Sequence, residues 1–146
     1  MTLTLELDPF NRCGPLTSGL PFSEVPSALE MKVERFRKTP LSAYETLDAG
    51  PGKLHVSFDA RGGCSGVEVF PDSGLSLTFG GQDLLLADAT VFVDVLIRLG
   101  QHWEVDDYGI HAPMLGIASF HHDFDWDSGA RGIDAVFVSL DPDFVP

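Results

Sequence analysis

The stretch Leu54-His55-Val56-Ser57-Phe58-Asp59 decides how this chain is organised. Moved 66 positions along, it falls on Phe120-His121-His122-Asp123-Phe124-Asp125. Under the same shift Gly63 falls on Gly129, Gly66 on Gly132, Val67 on Ile133 and Glu68 on Asp134. Upstream, Val25 falls on Val91 and Leu29 on Val95. A shift that keeps residue class, turn glycines and chain order together predicts a duplicated unit. Within the stretch, Leu54, Val56 and Phe58 alternate with His55 and Ser57, the period of a half-buried strand. Asp59-Ala60-Arg61-Gly62-Gly63 reads as the hairpin connection that follows it, its glycines supplying positive φ at little steric cost.

Outward from there, Thr2 to Leu7 alternates as another strand, and Asn11 to Phe22, rich in Gly and Pro, reads as a loop. Ser23 as N-cap, Pro26 in the first turn, and Val25, Leu29 and Val33 at helical spacing predict a helix that ends near Phe36. Pro40 stops any continuation. Ala43 to Leu47, Val67 to Phe70 and Leu75 to Phe79 read as further short strands, with a turn at Gly80-Gly81-Gln82-Asp83. Asp88 caps a second helix, with Val91, Val95 and Leu99 on one line, Phe92 and Leu96 beside it, an Asp94 and Arg98 surface pair, and Gly100 at its end. Strands follow at Trp103 to Asp107, Leu115 to Trp126 and Gly132 to Leu140. The expected fold class is therefore α+β: one domain over 1–146, with pseudo-repeats at about 12–80 and 84–144. Each repeat is a helix followed by an antiparallel meander, forming one sheet with helices on one face and the other face partly wet.

The chain has 146 residues, 44% of them hydrophobic, including eleven Phe and two Trp, enough to bury a core without metal or disulfide. Its net charge of −13 makes contact with a phosphate backbone or an anionic membrane costly and favours a basic protein partner. Cys13 and Cys64, without CxxC spacing, are expected to be a reduced pair, a disulfide between them being the alternative. The N-terminus lacks the basic start and apolar run of a signal peptide, and no stretch has the length of a membrane span, so the expected location is the cytoplasm.

The tandem helix-then-sheet layout, together with Gly14-Pro15-Leu16 and Gly19-Leu20-Pro21-Phe22-Ser23-Glu24-Val25, resembles the repeat units of the β-lactamase inhibitor protein family. Small bacterial outer-membrane assembly lipoproteins share a similar helix start. The inhibitor repeats carry their own disulfides, whereas Cys13 and Cys64 cannot supply one bridge to each half. The resemblance implies a concave sheet that grips another protein and transfers no individual binding residue.

The densest polar cluster is His121-His122-Asp123-Phe124-Asp125-Trp126-Asp127. Strand alternation puts His121, Asp123, Asp125 and Asp127 on one side, where the carboxylates repel unless water, a cation or basic side chains neutralise them. His121, Asp123 and Asp125 are the candidate metal ligands. An EF-hand reading fails because Ser128 stands where the loop needs glycine, Asp134 replaces the bidentate Glu, and the flanks read as strands. An exposed acidic rim is the plainer reading. His55 and His121 occupy matching positions that pseudo-symmetry would bring together. Cys64, between glycines, has neither the basic neighbours nor the helix start of a nucleophile, and no cofactor motif is present.

Trp103, Tyr108 and Trp126 combine contact area with a polar handle. With Asp106, Asp107, Asp123, Asp125 and Asp127 they form the candidate partner-binding surface, the alternative being that each Trp simply closes the end of the core. The expected function is an acidic protein-binding module, of the immunity or inhibitor kind, that masks a basic partner. The alternatives are a metal-dependent or small-ligand enzyme built on His121, Asp123 and Asp125, and a structural module.

Overall fold

The computed structural model describes residues 3–42, 44–85, 88–107, 109–121 and 133–143. In chain order its strands are β1 (Thr4–Asp8), β2 (Arg12–Cys13), β3 (Leu16–Thr17), β4 (Val33–Phe36), β5 (Thr46–Ala49), β6 (Leu54–Phe58), β7 (Cys64–Val69), β8 (Ser76–Phe79), β9 (Gln82–Asp83), β10 (Glu104–Val105), β11 (Gly109–Ala112), β12 (Ile117–Phe120) and β13 (Ala135–Ser139). A 3-10 turn at Phe22–Glu24 leads into α1 (Val25–Leu29), and α2 (Ala89–Arg98) follows β9.

These strands form two sheets. The smaller runs β3-β2-β1-β8-β9, with β1 and β8 parallel and the other pairs antiparallel. The larger is antiparallel throughout and runs β10-β11-β12-β13-β7-β6-β5-β4. In it two four-strand meanders meet through their last strands, β7 beside β13. Val56, Val67, Val138 and Ile117 thereby stand in one line across β6, β7, β13 and β12. All four are fully buried and share one apolar core with Leu5 and Leu77 of the smaller sheet and with Phe92 and Leu96 of α2. The strand period thus sets a covered face, and its alternate residues form the opposite face.

The α+β expectation, with tandem helix-plus-meander units in one sheet and helices along one face, is overturned. The described residues are 41% strand and only 14% helical, with two short helices and a second, five-stranded sheet among them. The first helix is the main reason. Val25, Leu29 and Val33 fit a helical period, but α1 stops after Leu29 because Glu30 takes a left-handed conformation at φ 54°, and Val33 opens β4 instead. Ser23 does not cap it; Glu24 holds the N-cap position without a side-chain bond. The Gly- and Pro-rich segment from Asn11 to Phe22 holds β2 and β3 rather than a plain loop.

The second helix follows its signals. Asp88 accepts a 2.9 Å hydrogen bond from the Val91 amide, and Gly100 leaves the helix at φ 67°. Its buried side is Ala89, Phe92, Val93, Val95 and Leu96, while Val91 is partly exposed. Arg98 turns back to the Asp94 carbonyl rather than pairing with its carboxylate. Both cysteines are buried as free thiols.

The shift of 66 does not carry β6 onto the equivalent strand of the other meander. Leu54 opens the third strand of one meander and Ile117 that of the other, so β6 is matched by β12, whose last residue is Phe120; His122 to Asp125 lie outside the described residues. No helix among the described residues is long and apolar enough to cross a membrane.

Candidate functional site

Register carries one line of side chains across all eight strands of the larger sheet, on the face away from the core. Glu34 stands opposite Asp48, Asp48 opposite His55, His55 opposite Glu68, and Glu68 opposite Phe137. The line continues through Ala118 and His111 to Glu104. Four carboxylates and two imidazoles therefore share one row. Its central members are held rather than free: the side chains of Asp48, His55 and Glu68 are each about one fifth exposed.

His55 is the hub. Its Nε2 lies 3.5 Å from Asp48 Oδ1 and its Nδ1 3.5 Å from Glu68 Oε1. At that separation the contacts are electrostatic rather than aligned hydrogen bonds, and Nδ1 is buried with no hydrogen-bond partner among the described residues. Phe36 and Phe70 meet the imidazole edge-on, at centroid distances of 4.9 and 4.8 Å, and fix the ring between them. Lys38 reaches Glu68 Oε1 from the side, at 3.8 Å. Phe137 lies over Gly66 so closely that a Cβ there would meet its ring at 2.6 Å.

The other arm is built differently. Asp106 closes a turn: its Oδ1 accepts the Gly109 amide at 3.0 Å and its Oδ2 meets His111 Nε2 at 2.5 Å. Glu104, opposite His111, pairs with His102 at 3.1 Å. Because Asp48 and Glu68 approach opposite nitrogens of one ring, the His55 group has no common point at which a metal would meet all three. No group of three or more His, Cys, Asp or Glu side chains among the described residues is placed to hold an ion.

The sequence candidates are distributed as follows. Asp123, Asp125, Trp126, Asp127 and Tyr108 lie outside the described residues. His121 is buried, and its Nε2 lies 2.8 Å from Ser119 Oγ. Ser119 stands opposite Ile110 and Val136, in the covered set, so His121 turns toward the core side while His55 faces the other way. The register therefore separates the two histidines that the repeat had paired. Trp103 is half-buried against the core and acts as a plug. Asp106 and Asp107 are exposed, with Asp106 shaping the turn before β11.

Asp48, Glu68 and His111 were missed, because a row across strands is set by pairing between segments far apart in sequence. Alternation around Asp48 and Glu68 is the one local signal that places each on a polar strand face. Cys64 is a buried thiol whose pKa is pushed up to about 12, chiefly by burial with the Asp59 charge adding, against a lowering bond from the Gly66 backbone. Comparison of the chain with family models, with curated proteins and with solved structures gives no match.

Proposed function

We propose that the outer face of the eight-stranded sheet binds a basic protein, and that the chain acts as a masking module of the immunity or inhibitor kind. The observation that carries this reading is the row Glu34, Asp48, Glu68 and Glu104, whose carboxylates share one face across the sheet. Like charges aligned on one face repel, and a cationic surface laid across them relieves that repulsion while steering the encounter. The net charge of −13 extends the same field over the molecule. Phe137, half-buried beside Glu68, supplies contact area at the centre of the row.

The test is affinity capture from a host extract on the wild-type chain and on the Asp48→Asn/Glu68→Gln/Glu104→Gln variant in parallel, in low and high salt. A basic protein retained by the wild type, released by salt and not retained by the variant supports the reading. Equal retention on both columns, or no basic protein on either, overturns it.

A further inference from the structure

The acidic face leaves unexplained a concentration of opposite charge at one border of the same sheet. Lys32, Arg35, Arg37 and Lys38 are four of only nine Lys and Arg residues in the chain, and all are exposed. They lie on or beside β4, which ends the eight-stranded sheet. The Gly50 amide bonds the Lys32 carbonyl at 2.8 Å, and in an antiparallel ladder inward-bonded residues alternate with outward-facing ones. Lys32, Glu34 and Phe36 therefore bond inward to β5, and the N–H and C=O groups of Val33 and Arg35 face outward. No described residue pairs with them. Next to this border, on the core side of β4, a cleft of about 260 Å³ is lined by Phe22, Ser23, Pro26, Val33, Arg35 and Leu47. Arg35 lies across its wall, 5.2 Å from the Phe22 ring centroid.

From these three features together we infer that β4 takes up an extended acidic segment of another protein as an added strand. Main-chain bonds to Val33 and Arg35 supply the pairing, an apolar side chain opposite Val33 fills the cleft, and a carboxylate two residues on, on the same face, meets Arg35 and Arg37, while one on the other face meets Lys32. Strand addition draws affinity from the backbone and specificity from pockets that take alternate side chains, and this border offers both. The charge selects the occupant. Edge strands are commonly guarded by cations against pairing at random, and from Lys32 to Arg37 three cations outnumber the one carboxylate, Glu34, so this border favours an acidic strand. This site is distinct from the carboxylate row and is read separately from it.

The probe is the peptide acetyl-Glu-Val-Thr-Glu-Thr-amide, which puts valine and one glutamate on the same face, with acetyl-Lys-Val-Thr-Lys-Thr-amide as its counterpart, added to the intact chain and followed by amide hydrogen exchange and titration. The acidic peptide is expected to slow exchange at the Val33 and Arg35 amides and the basic one to leave them unchanged. Val33→Pro removes an outward donor while keeping the inward ladder, and should weaken binding about threefold to tenfold, the loss of one ordinary main-chain bond. Should Val33→Pro fail to fold, the surface pair Lys32→Glu/Arg37→Glu reads the same site and should abolish selectivity for the acidic peptide. Binding without protection at Val33 and Arg35, equal binding of both peptides, or wild-type affinity in Lys32→Glu/Arg37→Glu would overturn the inference. So would sedimentation showing that the border is filled by a second copy of this chain.

Discussion

His55 stands directly opposite Glu68 across β6 and β7, its Nδ1 3.5 Å from the Glu68 carboxylate, while its other nitrogen faces Asp48 on β5. One imidazole thus links three neighbouring strands. The Phe36 and Phe70 rings on either side make it a packing element as well as a polar one.

His55→Ala is therefore expected to destabilise the chain by about 2 kcal/mol, through the void left between two aromatic rings and the two carboxylates left facing each other. His55→Phe restores the ring contacts and should recover some of that loss. Urea denaturation of the three proteins checks the order, and an alanine variant as stable as the wild type would contradict it.

Among the described glycines, Gly109 leaves the least room for a side chain. A Cβ there would lie 1.9 Å from the Ser119 carbonyl oxygen and 3.0 Å from the His121 ring, so β11 and β12 pair only because the side chain is missing. Gly109→Ala must push these neighbouring backbones apart and is expected to cost more than about 3 kcal/mol. Gly74→Ala, at φ 78° with open space around it, should cost only about 1 kcal/mol of backbone strain. Thermal melts of both variants give the comparison, and similar losses would show that the contact at Gly109 relaxes easily.

Local chemistry was legible wherever one segment settled its own structure. The strand from Leu54 to Phe58, the turn through Gly62 and the paired positive-φ glycines Gly80 and Gly81 follow from alternation and turn residues alone. The helix beyond Leu29 was misread because i, i+4 spacing is blind to the left-handed turn at Glu30, and Val33 and Phe36 serve an edge strand equally well. The small sheet escaped notice because β2, β3 and β9 are two residues each, too short for any period. The carboxylate row depends on β7 lying beside β13, a pairing between distant segments that alternation within either strand cannot reveal.

At the start of α2 the Asp88 carboxylate accepts the Val91 amide at 2.9 Å, satisfying one of the donors that the first helical turn leaves open. Asp88→Ala should cost about 1 kcal/mol and Asp88→Ser much less, since serine keeps an acceptor. Because Phe92 and Leu96 of this helix fill the core, the loss should appear as a lower midpoint of the whole unfolding transition rather than as local fraying. Two separate transitions by circular dichroism and tryptophan fluorescence would show that the helix melts independently.

Stability at high pH tests the buried thiols. Burial pushes Cys13 from the ordinary 9.0 up to about 12, with the Cys64 charge adding, and Cys64 reaches about 12 mainly by burial. A group whose folded value is raised contributes stability that is complete below its unfolded value and lost as pH climbs toward the folded one. The thiols therefore add full stability below about pH 9 and lose it between about pH 9 and about pH 12. With both titrating, the decline reaches at most about 3 kcal/mol per pH unit. Lys and Tyr also titrate in this range, so the measurement is the difference between the wild type and Cys13→Ala/Cys64→Ala in urea midpoints from pH 8 upward. The wild type should fall more steeply, and at pH 8 its folded form should resist a thiol reagent that labels both cysteines in urea. Parallel declines, or rapid labelling of the native chain, would mean that these sulfurs reach water far more readily than their burial implies.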